Sequence, residues 1–138
     1  MKIDKYLKMA IEKKASDVHL VGGAAPSLRA AGQLGFIKEE ALSKSAVREM
    51  VKEMLNEQQM GRLEQERDLD IALSLEDYRF RVNIHFQKEM LAIAARLVPQ
   101  NIPNPDALGF TDTILQLTKL NAGLVLVTGP SGSGKSTT

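Results

Sequence analysis

Residues 129–136, Gly129-Pro130-Ser131-Gly132-Ser133-Gly134-Lys135-Ser136, fit the pattern G-x-x-x-x-G-K-[ST] at every fixed position. The chemistry served by that spacing is phosphate binding. Glycine lets the backbone curl tightly enough for successive amides to point inward at phosphate oxygens. Lys135 brings a mobile positive charge for the β- and γ-phosphates of a nucleotide, and the Ser136 hydroxyl suits Mg²⁺. Ser131, Gly132, Ser133, Gly134 and Thr137 would line the same phosphates, with the positive N-terminus of a following helix beneath them. A Gly/Ser stretch matching by accident is the competing explanation. With Gly usage of about 7%, a chance match in a chain this long has odds on the order of 1 in 200.

Other side chains capable of chemistry carry weaker signals. His19 could act as a ligand or general base, but a half-buried strand histidine with a satisfied hydrogen bond is the simpler reading. Asp17 reads as a local backbone cap before it reads as an acid. Arg79, Arg81, Asn83, His85 and Gln87 alternate along one strand, and such a polar face is ordinarily just solvated. No catalytic role falls to His85. Met50, Met54 and Met60 lie at helix-face spacing and suit packing rather than a metal site.

The elements that must position these residues follow from periodicity. Ile3, Leu7, Ala10 and Ile11 predict an amphipathic helix over residues 4–15, and residues 17–21 alternate as a strand. Two short strands, residues 27–30 and 34–37, meet around Gly32. Ser43 is placed to cap a helix whose apolar face is Val47, Met50, Val51, Met54 and Leu55, and residues 58–65 suit a further short helix. Three alternating strands come next, turning at Glu76-Asp77 and Lys88-Glu89, so an antiparallel meander with one buried face is expected. Prolines at 99, 103 and 105 mark residues 99–109 as a linker. Beyond it, residues 111–120 suit a helix. Residues 123–128 form an unbroken apolar run of the kind buried on both faces in a parallel sheet. The expected organisation is a domain over residues 1–98, the linker, and residues 110–138 as the start of a second domain.

Composition bounds the function classes. The 138 residues carry 18 basic and 17 acidic side chains, so bulk charge argues for neither nucleic acid nor an acidic membrane surface. The absence of cysteine rules out disulfides and fits a reducing cytoplasm. The N-terminus has charges throughout, unlike a signal peptide, and no segment approaches the roughly 20 apolar residues of a membrane span.

Several patches together resemble one family. Ala15-Ser16-Asp17-Val18-His19-Leu20 is similar to the A-S-D-[LIV]-H-[LI] signature of PilT-type pilus retraction ATPases and of the related extension and type II secretion ATPases. Pro26, Arg29 and Gly32 match that family's P-x-x-R-x-x-G segment, and Phe80-Arg81-Val82-Asn83 resembles its F-R-V-N strand. Arg96 stands where the next strand ends in arginine, and Leu108-Gly109 and residues 123–130 also look like family stretches. Two local departures are Ser131, usually Thr, and Ala31, where an acidic turn residue is common.

The resemblance implies an α/β protein: a PAS-like N-terminal α/β domain with an antiparallel sheet, then the first helix, strand and P-loop of a truncated RecA-like ATPase domain. It implies a hexameric motor binding ATP and Mg²⁺, cytoplasmic and held at the inner membrane through a pilus or secretion platform protein, without inserting itself. The work would be pilus retraction and twitching motility, or type II secretion, with the short N-terminus favouring retraction. It further implies that Arg81 and Arg96 reach the nucleotide of a neighbouring subunit. The family's acidic box, Walker B segment and histidine box fall beyond Thr138, so residues 1–138 alone are expected not to hydrolyse ATP. The alternative is a non-enzymatic interaction or oligomerisation module with a vestigial P-loop.

Overall fold

Helix α1, Asp4–Glu12, forms because Ile3, Tyr6, Leu7 and Ala10 recur at helical spacing, and all four are buried. It ends three residues earlier than periodicity predicts, because Lys14 takes a left-handed backbone conformation (φ 51°) and the chain turns into strand β1, Ala15–Val21. Strands β2, Ser27–Ala30, and β3, Gln33–Phe36, pair as a tight hairpin. Its two turn residues, Ala31 and Gly32, both have positive φ (49° and 80°). Such a turn matches the twist of the strands, and Gly32 adopts it without strain where Ala31 does not.

Ser43 caps α2, Lys44–Met54, its hydroxyl accepting from the Ala46 N–H at 3.1 Å. Asn56 and Gln59 bond reciprocally in a capping box that starts α3, Glu57–Glu66. The meander follows as β4, Asp68–Leu75, β5, Tyr78–Gln87, and β6, Met90–Val98. The sheet is antiparallel throughout, in the order β3-β2-β1-β6-β5-β4. The expected meander therefore forms, with β1 joining it on the far side of β6.

Register sorts the side chains into rows. Leu69, Ile84, Ile93 and Leu20 lie side by side across four strands, as do Ile71, Val82, Ala95, Val18 and Leu28 across five. These rows form the core face, where α1, α2 and α3 pack with Val47, Val51 and Leu63 fully buried. The methionines behave as expected: Met50 is buried, and Met54 and Met60 pack at the core margin. The rows between them carry the polar side chains on the opposite face.

The computed structural model describes residues 1–98, 104–130 and 133–135. Two compact units divide the chain, Met1–Gln100 and Asn101–Thr138. The second has a 3₁₀ turn, Pro105–Leu108, and helix α4, Asp112–Leu117, shorter than the helix predicted over 111–120. The first part of the expected linker, residues 99–103, lies outside the described residues.

The expected strand over 123–128 is not formed. Leu124 and Leu126 are 81% and 73% exposed, and among the described residues no strand pairs with the run. A strand needs ladder partners for its backbone groups, and apolar side chains alone do not supply them. A chain ending at Val98 is expected to melt cooperatively, because the sheet and all three of its helices lie within it. Calorimetry checks this; a broad, non-cooperative melt would mean that later residues complete the core.

Candidate functional site

The polar face of the sheet gathers its charges into one cross-strand row: Arg81, Arg96, Asp17 and Arg29, contributed by β5, β6, β1 and β2 in that order. Arg81 and Arg96 are direct cross-strand partners. Like charges so placed are destabilising unless each finds a counter-ion, and each does. Arg81 Nη2 donates to Asp70 Oδ2 at 2.9 Å, and Arg96 Nε donates to Asp17 Oδ1 at 2.8 Å.

A bulge aims Asp17. Ala15 and Val18 both point into the core although three residues apart, which a regular strand forbids. The register between β1 and β2 slips at this point, making Ser16 the extra residue and turning Asp17 onto the polar face. Ser16 Oγ then sits 2.8 Å from Asp17 Oδ2, and the Arg29 guanidinium is 3.8 Å from that oxygen. Asp17 is thus the hub of an ion-pair network rather than the backbone cap expected from sequence. Burial works against its charge, but the hydrogen bonds from Arg96 and Ser16 and the Arg96 charge outweigh it, holding its pKa below the usual carboxylate value. The Arg81 hydrogen bond lowers the Asp70 pKa in the same direction.

The adjacent row runs Asp70, Asn83, Ala94 and His19. With only a methyl group at Ala94, the two rows enclose an open cleft of about 260 Å³ lined by Asp17, His19, Asp70, Arg81, Asn83 and Arg96. His19 is half-buried as expected, but its Nε2 meets no hydrogen-bond partner among the described residues, because the side chain opposite is alanine. Asn83 Oδ1 lies 2.8 Å from His85 Nδ1, and Asn83 Nδ2 donates to Asp68 Oδ1 at 3.0 Å.

In the second unit, the described part of the glycine-rich loop is Gly129, Pro130, Ser133, Gly134 and Lys135; Ser131, Gly132, Ser136 and Thr137 lie outside the described residues. Lys135 Nζ donates to the Pro130 carbonyl at 2.6 Å, and the Ser133 N–H approaches the same oxygen at 3.3 Å. Gly134 has φ 89°, a conformation that favours glycine. Lys135 thus folds back onto the backbone of its own loop. No group of three or more acidic, His or Cys side chains suited to a metal exists among the described residues. Among the described residues no helix is long and apolar enough to cross a membrane.

Sequence reasoning singled out Arg81 and Arg96, and the structure sets them side by side. It missed Asp70, and it missed Asp17 and Arg29 as ionic partners. The two-residue turn at Glu76-Asp77 could have found Asp70, since counting back from it pairs Asp70 with Asn83, next to Arg81.

The profile of the family described as Type II/IV secretion system protein matches residues 1–138. The chain is 30% identical over 138 residues to the type IV pilus ATPase PilU of Pseudomonas aeruginosa, covering 99% of the chain and 36% of that protein. It is 32% identical over 139 residues to that organism's PilT, described as a "Type IV pilus retractation ATPase", covering all of the chain and 40% of the relative. Among solved structures, the pilus retraction motor PilT with bound ADP superposes with a TM-score of 0.86 at 36% identity, over 99% of the chain and 40% of that structure. The DotB ATPase of Legionella pneumophila superposes at 0.67 and 26% identity, over 98% of the chain and 38% of that structure. The chain spans about two fifths of the length of these relatives. With the family profile matched from the first residue to the last, the chain belongs to the type II/IV secretion system protein family and is PilT-like within it.

Proposed function

We propose that these residues work as the N-terminal part of a hexameric ATPase motor that drives type IV pilus retraction, with type II secretion as the related task. The observation that carries the reading is the direct pairing of Arg81 with Arg96 on an open sheet face. Two adjacent guanidiniums in a solvent-open cleft are suited to a polyphosphate, because each presents planar, permanently charged donors. The sequence G-x-x-x-x-G-K-[ST] in the second unit supplies the complementary half, a loop holding ATP phosphates through residues 131–137, with Ser136 on Mg²⁺. In a ring, the cleft of one subunit would face the loop of the next. The assembly would sit in the cytoplasm against the inner membrane, through an inner-membrane platform protein.

Removing the Lys135 ammonium deletes a charge-assisted hydrogen bond of roughly 1.5–3 kcal/mol, so Lys135→Ala should weaken Mg-ATP binding at least about tenfold. Titration calorimetry on the full-length protein measures it. Unchanged affinity would contradict the loop's role and favour an interaction module. The 138 residues alone should show no turnover near the roughly 1 per second typical of enzymes, since they lack the resemblance's catalytic glutamate and Walker B acid.

A further inference from the structure

The two facing arginines are gripped in different ways. Arg96 is held at its inner nitrogen: Nε donates to Asp17, and among the described residues its two terminal nitrogens have no partner. Asp17 is fixed in turn, its side chain 11% exposed, with the Ser16 hydroxyl and Arg29 guanidinium on its second oxygen. Arg81 is held at its tip, where Nη2 donates to Asp70, a side chain 47% exposed. Guanidinium binds phosphate best through parallel donors at its terminal edge. That edge is open on Arg96 and occupied on Arg81.

Resting on the reading that these arginines receive nucleotide phosphates, we propose that Asp17 and Asp70 play opposite parts in the cleft. Asp17 is a positioning residue that keeps Arg96 aimed and stays bound to it when a polyphosphate arrives. Asp70 is a displaceable counter-ion that the polyphosphate must replace at Arg81. The burial of Asp17 and its several donors make it costly to detach, because a carboxylate left unpaired there would be partly desolvated. Asp70 is hydrated, so releasing it from Arg81 costs little. Asn83, directly across the strand pair from Asp70, is placed to receive the released carboxylate. Asp70 offsets Arg81 and Asp17 is shared by Arg96 and Arg29, so much of the positive charge of the cleft is masked until the exchange occurs. A singly charged anion gains little there, whereas a polyphosphate spans both arginines at once.

The test is a titration of the 138-residue chain carrying Lys135→Ala, so that the loop does not contribute, with inorganic tripolyphosphate. NMR follows the arginine Nε–H and aspartate carboxyl signals. Arg81 and Asp70 should shift on saturation, while the Arg96 Nε–H keeps its Asp17-bonded position. Asp70→Asn should tighten binding about two- to fivefold, the scale of one exposed ion pair. Asp17→Asn should not tighten it, because the lost aim of Arg96 offsets the lost negative charge.

Equal tightening by both variants, or release of Arg96 from Asp17 in the bound state, would overturn the division of roles and leave the reading of the arginines standing. If tripolyphosphate fails to bind at millimolar concentrations, or binds unchanged in Arg81→Ala and Arg96→Ala chains, the reading of the arginines fails and takes this inference with it.

Discussion

Replacing Arg96 with alanine should lower ATP turnover of the assembled full-length protein by about 10³-fold or more, the scale of an arginine supplied to a phosphoryl group in trans. The physical basis is charge. Phosphoryl transfer develops negative charge on the γ-phosphate oxygens, and a preorganised guanidinium stabilises it without reorganisation. Arg96 is preorganised by Asp17, which holds Nε at 2.8 Å while the side chain stays largely exposed. Affinity for ATP should fall far less than turnover, because the loop with Lys135, in a different unit from Arg96, still holds the phosphates. Steady-state turnover and ATP titration on the same preparation separate the two quantities. A parallel fall in both would mean that Arg96 serves folding or assembly instead.

Asp17→Asn should destabilise the N-terminal unit by about 1–2 kcal/mol at neutral pH, between an exposed ion pair and a buried hydrogen bond to a charged group, because Arg96 is largely solvated. The folded-state pKa of Asp17 lies below its ordinary value, so the unfolded chain binds the proton more readily than the native one. The contribution is therefore fully present above the unfolded value near 4 and is lost as pH falls through the folded value. The charged groups around Asp17 are Arg96 and Arg29, with the His19 ring beside them. Urea unfolding at pH 7 and pH 3 should show the gap between wild type and variant narrower at the second than at the first. An equal gap at both values would assign the effect to packing, not charge.

Much of the fold and half of the site were legible in the sequence. Alternation marked β4, β5 and β6, and the two-residue turn at Lys88-Glu89 sets Arg81 opposite Arg96 by counting alone. Ser43 announced the start of α2, and its hydroxyl does cap it. What could not be read was nonlocal. Asp17 meets Arg96 because β1, 79 residues earlier in the chain, pairs with β6, and no local pattern encodes that neighbour. The Ser16 bulge was hidden for a related reason, since a one-residue slip shows only when the partner strand is known. Residues 123–128 failed in the opposite direction. Their composition suits a buried strand, but hydrophobicity states a demand for cover without providing it, and Leu124 is 81% exposed.

The most direct test of the central claim, that one subunit's Arg96 serves a neighbour's nucleotide, mixes two inactive full-length proteins. Arg96→Ala subunits keep an intact loop, and Lys135→Ala subunits keep an intact cleft. A mixed ring contains interfaces at which an unaltered Lys135 loop meets an unaltered Arg96. Turnover should then rise above the weighted sum of the two separate proteins and peak near equal proportions. Mixtures that form but never exceed that sum would contradict the account and return Arg96 to a solvated sheet face.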